Sequence, residues 1–169
     1  MTVAQQDYLK KLFVYDPLTG WFTNRLSRGR AKEGERAGSD TGHGYRRIIV
    51  DYEKHYEHHL AWLYVYGIYP DEIDHKDGVR KHNWIANLRD CSRAQNCINS
   101  EREPGESGLR GAYLDKRNLQ WYSKIQLGSQ VKFLGNYETA EEAHEAYKAA
   151  SELHHGEFAF HNRNPAIGT

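Results

Sequence analysis

The stretch "DEIDHKDGVRKHNWIANLRDCSRAQN", residues 71 to 96, crowds Asp, His and Asn into a short span and sets Asp74 directly beside His75. Acid, imidazole and amide groups at this density are poor material for an apolar core. They suit proton transfer and the ligation of a hard cation. Phosphodiester hydrolysis needs a nucleophilic water, compensation of charge on the phosphate and help for the departing oxygen. A neutral His75 can take the water's proton, a contribution on the order of 100- to 10,000-fold. Asp74 and Asn96, if a helix packs across the intervening turn, offer two oxygen ligands to one divalent ion. Such donors, with positions left for water, suit magnesium or manganese better than zinc.

These groups need a frame. Asp74 follows a strand-like "EI", so on a continuing strand the side chains of Asp74 and His75 point to opposite faces. Asp77-Gly78 is a turn signal that sends the chain back, with Asn87 falling before a helix that starts at Ser92, where Ser92 and Gln95 match a capping box. Upstream, "YDPLTGWFTNR" reads as a hairpin opened by Asp16-Pro17 and closed by Gly20. Residues 25 to 44 have no apolar periodicity and read as a flexible connection whose arginines can track a nucleic-acid backbone. "YRRIIV" has strand composition and "DYEK" a turn, and residues 58 to 66 are expected as a short buried helix ended by Gly67, with Trp62, Tyr64 and Tyr66 in the core. Taken singly, Asp74 and Asn87 are ordinary turn and cap residues; their order with His75 and Asn96 points to a site.

In that order, His58-His59-Leu60, Asp74-His75, Asn87-Leu88-Arg89 and Asn96 resemble the HNH nuclease motif, the ββα-metal fold, in its phage and intron-encoded homing-endonuclease branch. The likeness covers roughly residues 7 to 100. It implies His75 as general base, Asp74 and Asn96 as ligands of Mg2+ or Mn2+, and Asn87 as a catalytic-site residue that fixes the loop by hydrogen bonding. His58 is expected either to support the site or contact DNA, or to be a satisfied structural histidine on an apolar helix. Departures fall at His59, often Arg in the family, and at His82 and Trp84 around Asn83, where Asp-Asn-Arg is common. Asn96 in place of a final His is shared with family members that cut one strand, so nicking of double-stranded DNA is expected.

Formal charge is zero overall, yet it is unevenly spread. Residues 108 to 136 hold five basic side chains against one acid, a net of +4, while residues 137 to 157 hold six acids against one base, a net of −5. Separation on this scale suggests two surfaces of opposite sign, one fit to meet phosphate. "GLRGAYLD", "LQWYSKIQL" and "VKFLGNY" are three short strand candidates, and "TAEEAHEAYKAASELHHG" is an amphipathic helix with a Thr139–Glu142 capping box, Gly156 at its end, and Ala140, Ala143, Tyr147, Ala150 and Leu153 on its apolar face. Strand alternation sets Trp121, Ser123 and Ile125 against Tyr122, Lys124 and Gln126.

Residues 108 to 159 resemble the plant APETALA-type, or ethylene-response-factor, DNA-binding domain through "GLRGAY", "WYSKIQL", "KFLGNYETAEEAHEAYKAA" and "LHHGEFA". The resemblance implies DNA contacts by Arg110, Tyr113, Lys124 and Gln126, phosphate contacts by Lys116 and Arg117, and close sheet-to-helix packing at Leu134-Gly135.

The expected fold class is α+β: N-terminal hairpins and a ββα-metal module over residues 1 to 100, a linker at 101–107, a three-stranded antiparallel sheet on one helix over 108–160, and a tail at 161–169. Cys91 and Cys97 lack the spacing of zinc ribbons or redox pairs and read as reduced thiols. No signal-peptide or membrane-span pattern is present, so a soluble, cytoplasmic monomer is expected, in the host cell if phage-encoded. The expected function is a metal-dependent DNA endonuclease, and its rival is a non-catalytic, sequence-specific DNA-binding regulator on the same scaffold.

Overall fold

The computed structural model describes residues 3–99 and 107–159. The expected tail, and all of the expected linker but its last residue, lie outside the described residues. Within them the fold is α+β, with small antiparallel sheets and four helices. Among the described residues the chain divides into two compact units, one through Arg93 and one from Ala94, so the boundary falls in the first turn of the helix expected at Ser92.

The first unit begins with a helix that sequence reasoning left out, α1 (Val3–Leu12), which buries Leu9 and Leu12. It runs straight into the expected hairpin of β1 (Phe13–Asp16) and β2 (Trp21–Asn24). Asp16 shapes the turn by accepting from Leu18 N and Thr19 Oγ1 at 2.9 and 2.8 Å. Gly20 closes it at φ +74°, where a side chain is disfavoured. Residues 25–44 are not a free connection: Asn24 N donates to Glu35 O at 2.9 Å, Ala37 N to Phe22 O at 2.7 Å, and Ala37 is buried. Arg36 lies over the Trp21 ring at 4.0 Å, a cation–π contact.

A three-stranded sheet follows, β3 (Ser39–Asp40), β4 (Arg46–Val50) and β5 (Glu53–Tyr56), with β4 central. The tight β4–β5 turn uses two non-glycine residues at positive φ, Asp51 and Tyr52. Helix α2 (Glu57–Tyr66) ends as expected at Gly67, left-handed at φ 75°, whose N–H donates to Leu63 O. The core gathers Leu9, Phe13, Phe22, Ile48, Leu60 and Leu63, with Trp62 and Tyr64 packed against its margin. Tyr66, expected inside, is exposed and packs on Trp62 at the surface. The chain then forms β6 (Ile73–His75), a single 3-10 turn (Ile85–Asn87) and β7 (Leu88–Asp90), which pairs antiparallel with β6.

Helix α3 (Arg93–Asn99) starts at the division. The second unit holds the three expected strands, β8 (Ala112–Asp115), β9 (Gln120–Leu127) and β10 (Gln130–Tyr137), in the order β10-β9-β8. Helix α4 (Ala140–His155) carries the expected Thr139–Glu142 capping box. It packs on the face that buries Ala112, Ser123 and Ile125. Leu153, expected on the apolar face, is exposed, and Ser151 is buried instead. The close approach of sheet and helix falls at Gly111, where a Cβ would stand 2.1 Å from Tyr147 Cγ. Gly135 instead serves a β-bulge, at φ 143°, because an extra residue there bends β10 and its backbone needs a conformation that side chains disfavour.

Candidate active site

The short β6–β7 ladder sets the pieces in place. Asp74 stands opposite Arg89 in register, and His75 opposite Leu88, so the two neighbours project from opposite faces as alternation requires. Arg89 Nε and Nη2 donate to Asp74 Oδ2 at 2.8 and 2.5 Å. Both Asp74 and His75 are buried, at 6% and 5% exposure.

The loop between the strands is closed by Asn87. Its Oδ1 accepts from Asp77 N at 3.1 Å, and its Nδ2 donates to Asp77 Oδ1 at 3.0 Å and to His82 O at 2.8 Å. Lys76 N donates to Asn87 O at 2.9 Å, and Gly78 N to His75 O at 2.8 Å. Asp77 also accepts from Val79 N and from His82 Nδ1, the latter at 2.6 Å. Every hydrogen-bonding atom of the Asn87 amide group thus works on the loop. The His82 ring packs on Trp84 at 4.5 Å, which ties Trp84 to the loop.

His75 is gripped from the other side. Its Nε2 lies 3.0 Å from Asn83 Oδ1, and Asn83 Nδ2 donates to Glu57 Oε2 at 2.9 Å. Arg46 Nε donates to the same Glu57 oxygen at 3.1 Å. Glu57 is fully buried at 0% exposure and Asn83 at 1%. Burial pushes the Glu57 carboxyl up from its ordinary range, against the pull of Arg46, Asn83 and Arg36. Sequence reasoning missed both residues.

Around the imidazole, His58 lies edge-on at 5.0 Å, and Tyr45 packs against His58 at 5.4 Å and His75 at 6.3 Å. Burial lowers the pKa of His75, although the Asn83 hydrogen bond and the charges of Asp77 and Asp74 oppose the shift. His58 is pushed well below the imidazole range by burial first, then by His75 and His59. Two neighbouring rings are thereby kept neutral, and a neutral His75 is ready to accept a proton. Arg80, itself exposed, lies 5.0 Å from the Tyr45 ring and donates to His43 O at 3.0 Å.

Asp74 offers a carboxylate, a hard oxygen donor, fixed in place by Arg89; among the described residues no three His, Cys, Asp or Glu side chains come together as a metal-ligand group. Asn96 is half-buried on α3, past the division of the chain, so its ligand role remains a proposal. Cys91 is a buried free thiol pushed up to about 12 by burial, and the Cys97 side chain lies outside what is described.

In the second unit, Tyr113, Tyr122 and Phe133 form a ladder across the three strands on the face opposite α4, with ring centroids 5.4 and 6.3 Å apart. Lys124 Nζ sits over the Tyr113 ring at 4.9 Å. Gln126 is exposed but turns its amide to Gly128 O at 2.7 Å. Lys116 and Arg117 are exposed in the first turn, with Arg117 Nε 3.8 Å from Asp115. Arg110 is half-buried, and its carbonyl accepts from His144 Nδ1 at 2.7 Å.

Residues 55–97 match the family model of the HNH endonuclease. The match supports an HNH nuclease acting on DNA and spans Glu57, His58, Asp74, His75, Asn83, Asn87 and Asn96. No curated protein and no solved structure matches the chain. Among the described residues no helix is long and apolar enough to cross a membrane.

Proposed function

We propose that this protein is a divalent-metal-dependent endonuclease of the homing type that hydrolyses a phosphodiester bond in double-stranded DNA and nicks one strand. The carrying observation is the pair of adjacent buried residues Asp74 and His75, one fixed by Arg89 and the other held neutral, inside the segment that matches the nuclease family.

His75 takes the proton from the attacking water, and its lowered pKa keeps it in the accepting form at neutral pH. Asn87 holds the loop that carries His75 at one end and Asp77 behind it, so the imidazole stays aimed. Arg80, exposed beside the Tyr45 ring, offers a cation to the substrate phosphate. Asp74 and Asn96 would hold Mg2+ or Mn2+, which when bound compensates charge on the phosphate and the departing oxygen. The second unit targets the cut: Arg110, Tyr113, Lys124 and Gln126 meet bases or backbone, and Lys116 and Arg117 meet phosphates. Its acidic helix packs on the opposite face of the sheet, which is the disposition the separated charges suit.

The test uses supercoiled plasmid with magnesium, with magnesium plus chelator, and with His75→Ala protein. Conversion to the open-circular form only in the first arm supports the proposal. Equal conversion in all three means a contaminating nuclease, and no conversion in any favours a DNA-binding regulator on a nuclease scaffold.

A further inference from the structure

We infer that Glu57 and Asn83 set the tautomer of His75, so that Nε2 carries the proton and the basic lone pair lies on Nδ1. The purpose assigned to that nitrogen rests on the nuclease reading; the tautomer itself rests on hydrogen-bond geometry.

Arg46 fixes the polarity of the relay. Arg46 Nε is a donor only, so the Glu57 Oε2 it contacts at 3.1 Å accepts. With that carboxylate ionised against the guanidinium, Oε2 has no hydrogen to give, so Asn83 presents its NH2 group to it at 2.9 Å. The amide is planar, so presenting nitrogen to Glu57 presents oxygen to His75, at 3.0 Å from Nε2. A carbonyl oxygen has lone pairs and no hydrogen, and the ring nitrogen facing it must therefore donate. A neutral imidazole has one such hydrogen, which leaves the basic lone pair on Nδ1.

The relay cannot swing away. Tyr15 Oη donates to Asn83 O at 2.7 Å, and Gly20 lies so close that a Cβ on it would fall 2.3 Å from the Asn83 carbonyl carbon. The N-terminal hairpin grips the backbone of Asn83, α2 grips its side chain through Glu57, and β4 grips Glu57 through Arg46. A buried acid at full coverage is costly, and orientation of the base is what its position delivers. Only Oε2 works in the relay, for among the described residues the buried Glu57 Oε1 has no hydrogen-bond partner. Glu57→Gln can accordingly keep its carbonyl on Arg46 and Asn83. Glu57 and Asn83 are positioning residues that act through His75.

The test is long-range proton–nitrogen correlation NMR of the nitrogen-labelled full-length protein above the His75 titration, with His75→Gln used to identify the signals. The expected wild-type pattern is a protonated Nε2, and Glu57→Gln keeps it. In Asn83→Leu the pattern shifts toward Nδ1–H and plasmid nicking slows roughly tenfold or more, and loss of the Nε2–H pattern in Glu57→Gln would count against the relay. A wild-type Nδ1–H pattern overturns the inference, as does an Asn83→Leu protein with tautomer and rate unchanged. If Asn83→Leu fails to fold, the wild-type and Glu57→Gln spectra still decide. A wild-type protein with Nε2–H that cuts no DNA upholds the tautomer and sinks the nuclease reading instead.

Discussion

Arg89 and Asp74 face each other directly across the β6–β7 ladder, with two guanidinium N–H groups on one carboxylate oxygen. Both side chains are largely buried, at 11% and 7% exposure. Removing one partner of such a pair leaves the other charged and dry, a loss of about 3–5 kcal/mol. Arg89→Ala should therefore lower stability by about that amount in chemical denaturation without metal. If Asp74 is a metal ligand, magnesium should stabilise Arg89→Ala more than wild type, because the ion replaces the missing positive charge. Equal stabilisation of both proteins would argue against ligation by Asp74.

The pH dependence of stability follows from His58 and His75. Both have folded pKa values below the ordinary imidazole range because burial opposes their charge. The unfolded chain therefore binds protons near the usual value of about 6.5, while the folded chain resists to lower pH. Stability should be full above that value and fall as pH drops through it, with a slope approaching about 1.4 kcal/mol per pH unit for each histidine. Glu57, raised by burial, works in the opposite sense at lower pH, so the clean comparison is wild type against His58→Phe. Denaturation midpoints between pH 8 and 5 should fall less steeply in the variant.

Asn87→Ala removes the side-chain hydrogen bonds to Asp77 and His82 O. With the loop groups left to find water, the expected loss is about 2–3 kcal/mol. Nicking should fall with it, since His75 sits at the loop's root. Full nicking activity in a stably folded Asn87→Ala protein would remove Asn87 from the site.

In the second unit, Lys124→Ala and Arg110→Ala should weaken binding to the preferred DNA site. A lost base contact would cost about 1–3 kcal/mol and relax discrimination at one position, whereas a lost phosphate contact would weaken all sequences alike and reduce the salt slope. Gel-shift titrations at several salt concentrations separate the two. Unchanged affinity and site choice in both variants would contradict a DNA role for this sheet face.

Much of this architecture was legible because it is written in local signals. The Asp16 turn, the Gly67 helix stop, the Thr139–Glu142 box and the alternation of β9 all use residues whose chemistry acts on their near neighbours. What was illegible depends on distant partners. Among the described side chains of helix α1 only Leu9 and Leu12 are buried, so its periodicity is faint. Glu57 resembles any acid at a helix start, and only the fold brings Asn83 to it from 26 residues away. A hint existed in an acid placed between the strand "HY" and the apolar run beginning at His58. Gly111 could not be chosen over Gly135 as the close-packing glycine without the Tyr147 ring in view. The ordering of residues 25–44 likewise comes from backbone bonds to β2, which composition does not encode.

The anomalous signal of manganese in crystals of the full chain tests metal ligation by Asp74 outright. One ion is expected within about 2 Å of a carboxylate oxygen of Asp74 and of Asn96 Oδ1, with water in its other positions and the His75 ring facing it. An ion bound away from Asp74, or Asp74 still closed on Arg89 with no ion beside it at saturating manganese, would contradict it.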